Sequence, residues 1–193
     1  MTPPSTRSER ARAAVREAAW DLLLDRGLRA VTIEAIAERS GVAKTTIYRH
    51  WPTKNAIVLD ALRERFEPTV AFGDTGSVLG DLTQQLQAVI GLLATEAGVA
   101  YLSLVVESWY DPDLATGLVE RYLDRRRTAA IEVVERGVER GELSAGTDAG
   151  VLVDALYGAL YYRLLVSRQP LPDTYASLLV AQVLDHDRSG SRD

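Results

Sequence analysis

Apolar residues recur at helical spacing from near the start of the chain. Ala11, Ala14, Val15, Ala18, Ala19, Leu22 and Leu23 follow an i, i+3, i+4, i+7 rhythm, which predicts one amphipathic helix. Thr6-x-x-Glu9 offers this helix a capping box, and Gly27 a left-handed stop. A second helix is predicted after Thr32, a good N-cap, with Ile33, Ile36 and Ala37 as its apolar stripe and Gly41 just past its end. A third, very short helix fits residues 43–50. Pro52-Thr53 then breaks the chain, and Thr53 can cap a fourth helix running to about Arg65 on Ile57, Val58, Ala61 and Leu62.

Residues 1–5 hold two prolines and no periodicity, and read as a disordered arm. Residues 67–77 carry Pro68, Gly73 and Gly76 and read as a linker. Beyond it, helical patterning returns at about 78–97, 99–109, 112–140, 148–167 and 173–187. The breaks fall at Gly98, Asp111-Pro112, Gly141 to Gly146, and Pro170-Leu171-Pro172. There is no sustained β alternation and no βαβ rhythm. The expected fold is all-α: an N-terminal three-helix domain with a helix-turn-helix over 6–66, a linker over 67–77, and a C-terminal helical domain over 78–187.

Charge sharpens this division. The net formal charge of the 193 residues is −5, but it is unevenly spread. Residues 1–65 hold 12 Arg/Lys against 8 Asp/Glu, a balance of +4, whereas residues 66–193 hold 10 against 19, a balance of −9. A basic first third on an acidic remainder suggests two modules with different partners. Cysteine is absent, which excludes disulfides, thiol nucleophiles and cysteine-ligated metals. The two histidines, His50 and His186, cannot build a multi-histidine centre, so neither a metal nor a cofactor is expected. No uninterrupted run approaches 18 apolar residues and no leader-like stretch opens the chain, so a cytoplasmic protein with no membrane span is expected.

The segment Thr32 to Lys54, TIEAIAERSGVAKTTIYRHWPTK, carries the chemistry. A helix, a tight turn at Gly41 and a second short helix form a unit that can lay the second helix in a DNA major groove. Lys44, Thr45 and Thr46 open that second helix. A lysine can donate to guanine N7 and O6, and threonine offers a hydroxyl and a methyl suited to thymine. Tyr48, Arg49, His50 and Lys54 supply donors for phosphate oxygens, and Thr32 can offer its hydroxyl and amide to another. Ile47 is expected to anchor the helix inward. Tyr48 and Trp51 equally fit a core role, and His50 a plain surface position.

This stretch resembles the DNA-binding domain of the TetR family of bacterial transcriptional regulators. The resemblance rests on Thr32-Ile33, Ala37, Gly41-Val42, Lys44, Thr46, Ile47-Tyr48, His50, Pro52 and Lys54. Its motif covers about residues 10–65. It implies that Lys44, Thr45, Thr46 and Arg49 stand at or near base edges, and Thr32, Tyr48, His50 and Lys54 at phosphates. Two positions depart from the pattern. Trp51 stands where phenylalanine is commoner, and Thr45 where glycine or proline is frequent.

The resemblance further implies that residues 78–187 bind a small effector and dimerise. Helix 148–167 is apolar nearly all round, with Ala155, Gly158 and Ala159 as a small-residue patch. With Tyr162 and, on the last helix, Leu179 and Val183, these are the expected homodimer contacts. Tyr101, Glu107, Trp109, Tyr110 and Tyr161 are candidate pocket residues, which would suit a largely hydrophobic effector with Glu107 or a tyrosine hydroxyl as the polar handle. The expected function is a ligand-responsive repressor, not an enzyme, that binds a palindromic operator in double-stranded DNA as a homodimer. The competing readings are an architectural DNA binder without an effector and a helical enzyme.

Overall fold

A computed structural model describes residues 7–67 and 72–189, without the side chains of 186–189. Among the described residues ten α-helices run in order: α1 Arg7–Arg26, α2 Ile33–Ser40, α3 Lys44–His50, α4 Lys54–Phe66, α5 Val78–Leu93, α6 Glu96–Glu107, α7 Pro112–Leu118, α8 Asp124–Glu139, α9 Ala149–Tyr161 and α10 Tyr175–Ser189. There is no strand among the described residues, and the fold is all-α. The expected arm over 1–5, the capping Thr6 and the linker positions 68–71 lie outside the described residues.

Two compact units emerge. The first joins α1–α4 with residues 95–123, which carry α6, α7 and the turn that follows. Its first four helices follow local sequence rules. Thr32 Oγ1 accepts from Ala35 N at 3.1 Å, and Thr53 Oγ1 from Ala56 N at 3.2 Å, each satisfying an orphan amide of a helix start. Gly41 ends α2 in the left-handed region at φ 68°, its N–H donating to Ala37 O, a conformation glycine adopts without steric cost. Val15, Ala19, Leu23, Ile36, Ile47, Ile57, Val58 and Leu62 are buried where α1, α2, α3 and α4 meet.

Residues 95–123 attach to that core through aromatic rings. Phe66 lies 6.2 Å from Trp20, 5.8 Å from Tyr101 and 6.0 Å from Tyr122, and the two tyrosines are 5.5 Å apart. Such tilted and edge-to-face rings add about 0.5–1.5 kcal/mol per pair beyond the burial itself. A π-helical turn at Val119–Leu123 interrupts the helix expected over 112–140, and Tyr122 is buried within it. The break expected at Gly98 falls earlier. Thr95 Oγ1 accepts from Gly98 N, so Thr95 starts α6 and Gly98 lies inside it.

The second unit holds α5, α8, α9 and α10. Val78, Leu82, Leu86, Val133, Val134, Leu152, Leu156, Leu160, Val180 and Leu184 fill its core. A Cβ on Gly137 would stand 2.9 Å from Val78 Cβ, so the glycine lets α5 and α8 approach closely. Two polar side chains are buried here. Asp81 Oδ1 accepts from Thr75 N and Oγ1, and Gln85 Oε1 accepts from the Tyr157 hydroxyl at 2.5 Å.

α9 and the π-helical turn after it form an 18-residue stretch, Ala149–Val166, of mean hydropathy 1.4. Although Asp154 and Arg163 break its apolar run, its length and composition meet those of a membrane-crossing helix, contrary to the expectation from uninterrupted apolar residues. Only 22% of it is buried. Asp154 pairs with Arg127 at 3.2 Å, and Arg163 donates to Pro170 O.

Candidate nucleic-acid interface

α2 and α3 are held on a braced platform. Arg39 pairs with Asp25 at 2.9 Å, tying α2 to α1. Arg16 donates two hydrogen bonds to Glu64, and Arg65 pairs with Glu17, tying α1 to α4. The Arg16 guanidinium holds the Glu64 carboxyl below its usual range. Exposed pairs contribute at most about 1 kcal/mol each, so their role here is mainly registration of the helices.

α3 divides into two faces. Ile47 and Trp51 are buried inward, and Trp51 Nε1 donates to Asp60 Oδ2 at 3.0 Å. The larger ring at position 51 thus fills the core and satisfies its one polar atom. Thr46 and His50, one turn apart, are half-buried and line a crevice with Ala11, Arg12 and Val15 of α1. Lys44, Thr45, Tyr48 and Arg49 face solvent, with Tyr48 54% exposed. That outward set pairs 44 with 48 and 45 with 49, the i, i+4 spacing of one helical face. The Lys44 ammonium meets the Glu34 carboxylate at 2.5 Å, across the turn between α2 and α3. Lys44 draws the Glu34 carboxyl below its ordinary range, helped by the residue's own backbone N–H.

The flanks are equally ordered. The Thr32 hydroxyl caps α2 and keeps its own proton free to donate. Lys54 Nζ donates to Leu28 O at 3.1 Å, which fixes the ammonium beside the start of α4. A short helix that follows a left-handed glycine turn, presenting donors above a buried apolar pedestal, has the build of a major-groove reader. Residues 15–61 match the bacterial regulatory proteins of the tetR family, and residues 72–183 match the tetracyclin repressor-like C-terminal domain. The chain belongs to the TetR family of bacterial transcriptional regulators.

This TetR-family chain is a DNA-binding transcriptional regulator. It is 34% identical to the HTH-type regulator YdeS of Bacillus subtilis over 90% of this chain and 88% of that protein. It is 29% identical to the HTH-type regulator AqdR of Rhodococcus erythropolis, over 95% and 92%. The crystal structure of the TetR-family regulator SCO0332 superposes with a TM-score of 0.78 at 40% identity, over 92% of this chain and 98% of that one.

The remaining expected site residues fall in different settings. Tyr101 is buried in the aromatic cluster of the first unit, and Glu107 is half-buried at the end of α6. Trp109 and Tyr110 stand in solvent at 84% and 89% exposure, in a 3-10 turn. Tyr161 belongs to α9 in the second unit. Of the expected dimer contacts, Ala155, Gly158 and Tyr162 are exposed, while Ala159, Leu179 and Val183 are half-buried. Val151, Val166 and Leu178 widen this uncovered apolar surface.

Two features escape a reading of single helices. Glu34 looks like an ordinary acidic residue in a first turn, because its pairing with Lys44 needs the turn geometry. Gln85 looks like a surface residue of α5, yet it is buried against Tyr157, and its Nε2 has no hydrogen-bond partner.

Proposed function

We propose that this regulator is a homodimeric, ligand-responsive repressor that acts on DNA in the cytoplasm. The observation that carries the DNA side is the outward face of α3, where Lys44, Thr45, Tyr48 and Arg49 converge above buried Ile47 and Trp51. Lys44, Thr45 and Arg49 reach base edges. Thr32, Tyr48 and Lys54 hold phosphates, and half-buried Thr46 and His50 contribute from the α1 side of the helix. Repression then needs no chemistry, only occupancy of a promoter.

The dimer reading is supported by the uncovered apolar surface of α9 and α10, including Val151, Ala155, Gly158, Tyr162 and Leu178. A contiguous apolar surface of this kind is rarely left to water. Two copies related by a two-fold axis would bring two α3 helices to half-sites about 34–36 Å apart, which makes the operator palindromic. On this reading residues 6–66 bind DNA, 67–77 link, and 78–187 serve effector binding and dimerisation, although residues 95–123 of that stretch pack with the first unit. The effector is a mainly hydrophobic molecule. The unpartnered Gln85 amide and the Tyr157 hydroxyl are polar groups that could orient it inside the second unit. A release mechanism requires the ligand to favour the state that binds DNA poorly.

Selection from a randomised duplex pool tests this reading, with sedimentation of the same preparation. A palindromic consensus bound by a dimer is the expected result. Enrichment of single half-sites by a monomer overturns the dimer, and enrichment of nothing overturns the operator.

A further inference from the structure

We propose that Glu34 is a specificity-determining residue, which together with Lys44 reads one G·C base pair in each half-site. The two side chains come from the first turns of α2 and α3. Their charged ends meet at 2.5 Å, with Lys44 50% and Glu34 66% exposed beside the outward face of α3. Lys44 Nζ donates to Glu34 Oε1.

A carboxylate is an unfavourable group to bring near a polyanion. Several observations make this one productive. Lys44 neutralises it, so the pair enters the groove with no net charge. The carboxylate is an acceptor without donors, and the major groove presents only two donors, adenine N6 and cytosine N4. Its partner selects between them. The ammonium seeks two adjacent acceptors, which guanine alone presents as N7 beside O6. The next group along that base-pair edge is cytosine N4, a donor. An ammonium beside a carboxylate therefore matches the order acceptor, acceptor, donor of a G·C pair. On an A·T pair the central group is the N6 donor, and the ammonium would face it.

The pairing also separates Lys44 from Arg49, the other cation of the face. Arg49 brings a positive charge to the groove, whereas Lys44 arrives already neutralised. Its contribution is then selectivity, with little release of counterions.

This inference rests on the operator reading above. The test is selection from a randomised duplex pool by the full-length wild type and by Glu34→Ala, Glu34→Gln and Lys44→Ala. Titrations on the selected duplex and on an unrelated one accompany it, with a thermal melt of each variant. Glu34 is largely exposed, so Glu34→Ala and Glu34→Gln should melt as cooperative folded proteins.

The wild-type consensus should contain a G·C pair in each half-site whose preference falls about tenfold in Glu34→Ala, with the other positions kept. Glu34→Gln keeps an acceptor for cytosine N4 beside the same lysine, and should relax that position less than Glu34→Ala does. Lys44→Ala should relax the same position. Glu34→Ala should also bind the unrelated duplex more tightly. An unchanged consensus with uniformly tighter binding would make Glu34 an electrostatic mask and overturn the inference. So would loss of preference at every position, which would make it a brace for the helix. A wild type that enriches no sequence overturns both this inference and the operator reading. A wild-type consensus indifferent to Glu34 overturns this inference alone.

Discussion

Asn55 Nδ2 donates to Asp111 Oδ2 at 2.9 Å, joining the first turn of α4 to the residue that caps α7. The other oxygen of the same carboxylate accepts from Leu114 N at 3.0 Å. One aspartate thus starts a helix and holds the element that directly follows the recognition helix. Asn55 is 7% exposed, so no solvent would replace a lost partner.

Asp111→Ala should destabilise the protein by about 2 kcal/mol. The cap contributes about 1 kcal/mol, and the buried Asn55 amide left without its acceptor adds a similar amount. Asp111→Asn keeps an acceptor for the cap and should cost less. Urea unfolding of both variants checks this, and equal losses would rule out the separate cap contribution.

Acid should weaken the fold through its paired carboxyls. Hydrogen bonds from Arg16 lower the Glu64 carboxyl. The bond from Leu114 N, then that from Asn55, lowers Asp111. A carboxyl lowered in the folded state contributes stability above its unfolded value, and that stability is lost as pH falls through the folded value. The melting temperature should therefore drop below about pH 4, the range of unperturbed carboxyls. Arg16→Ala should flatten part of that drop. A variant with the wild-type acid limb would remove Glu64 from the account.

Lys44 and Lys54 should differ in how their loss depends on salt. Lys54 Nζ is held on Leu28 O, beside the start of α4, where a phosphate can reach it. Lys54→Ala should weaken binding to every sequence and lower the salt slope by about 1 per protomer. Lys44 is already paired with Glu34, so Lys44→Ala should leave the slope near the wild-type value and reduce discrimination. Titration on operator and random duplex at several salt concentrations separates the two. The same change of slope for both variants would end the distinction.

Gly158→Leu should dissociate the proposed dimer without unfolding the protomer. A Cβ at this position would meet nothing within 4 Å in the single chain, so the protomer has open space where a leucine would start and a packed partner would not. Sedimentation should show a monomer whose thermal unfolding stays cooperative. A persistent dimer would place the interface away from the exposed face of α9.

The helix-turn-helix is legible along the chain because each of its signals is local. Thr32 and Thr53 cap helices by bonds to amides three residues on, and Gly41 supplies a left-handed turn at one residue. The buried positions Ile33 and Ile36 on α2, and Ile57, Val58, Ala61 and Leu62 on α4, follow helical spacing, and the ordered motif from Thr32 to Lys54 carries the family resemblance. Other features needed contacts between residues distant in sequence. Periodicity could not separate Lys44, Thr45, Tyr48 and Arg49 from half-buried Thr46 and His50, because α1 covers one side of α3. Glu34 meets Lys44 only once the turn at Gly41 has folded α3 back toward the start of α2. Trp20, Phe66, Tyr101 and Tyr122 come from four separate segments, and their packing places residues 95–123 with the N-terminal helices. An apolar helix such as α9 says in sequence only that it must be covered. Its neighbours within the protomer cover Leu152, Leu156 and Leu160 and leave Val151, Ala155 and Gly158 uncovered, because the packing of helices around a core is settled by shape over the whole unit.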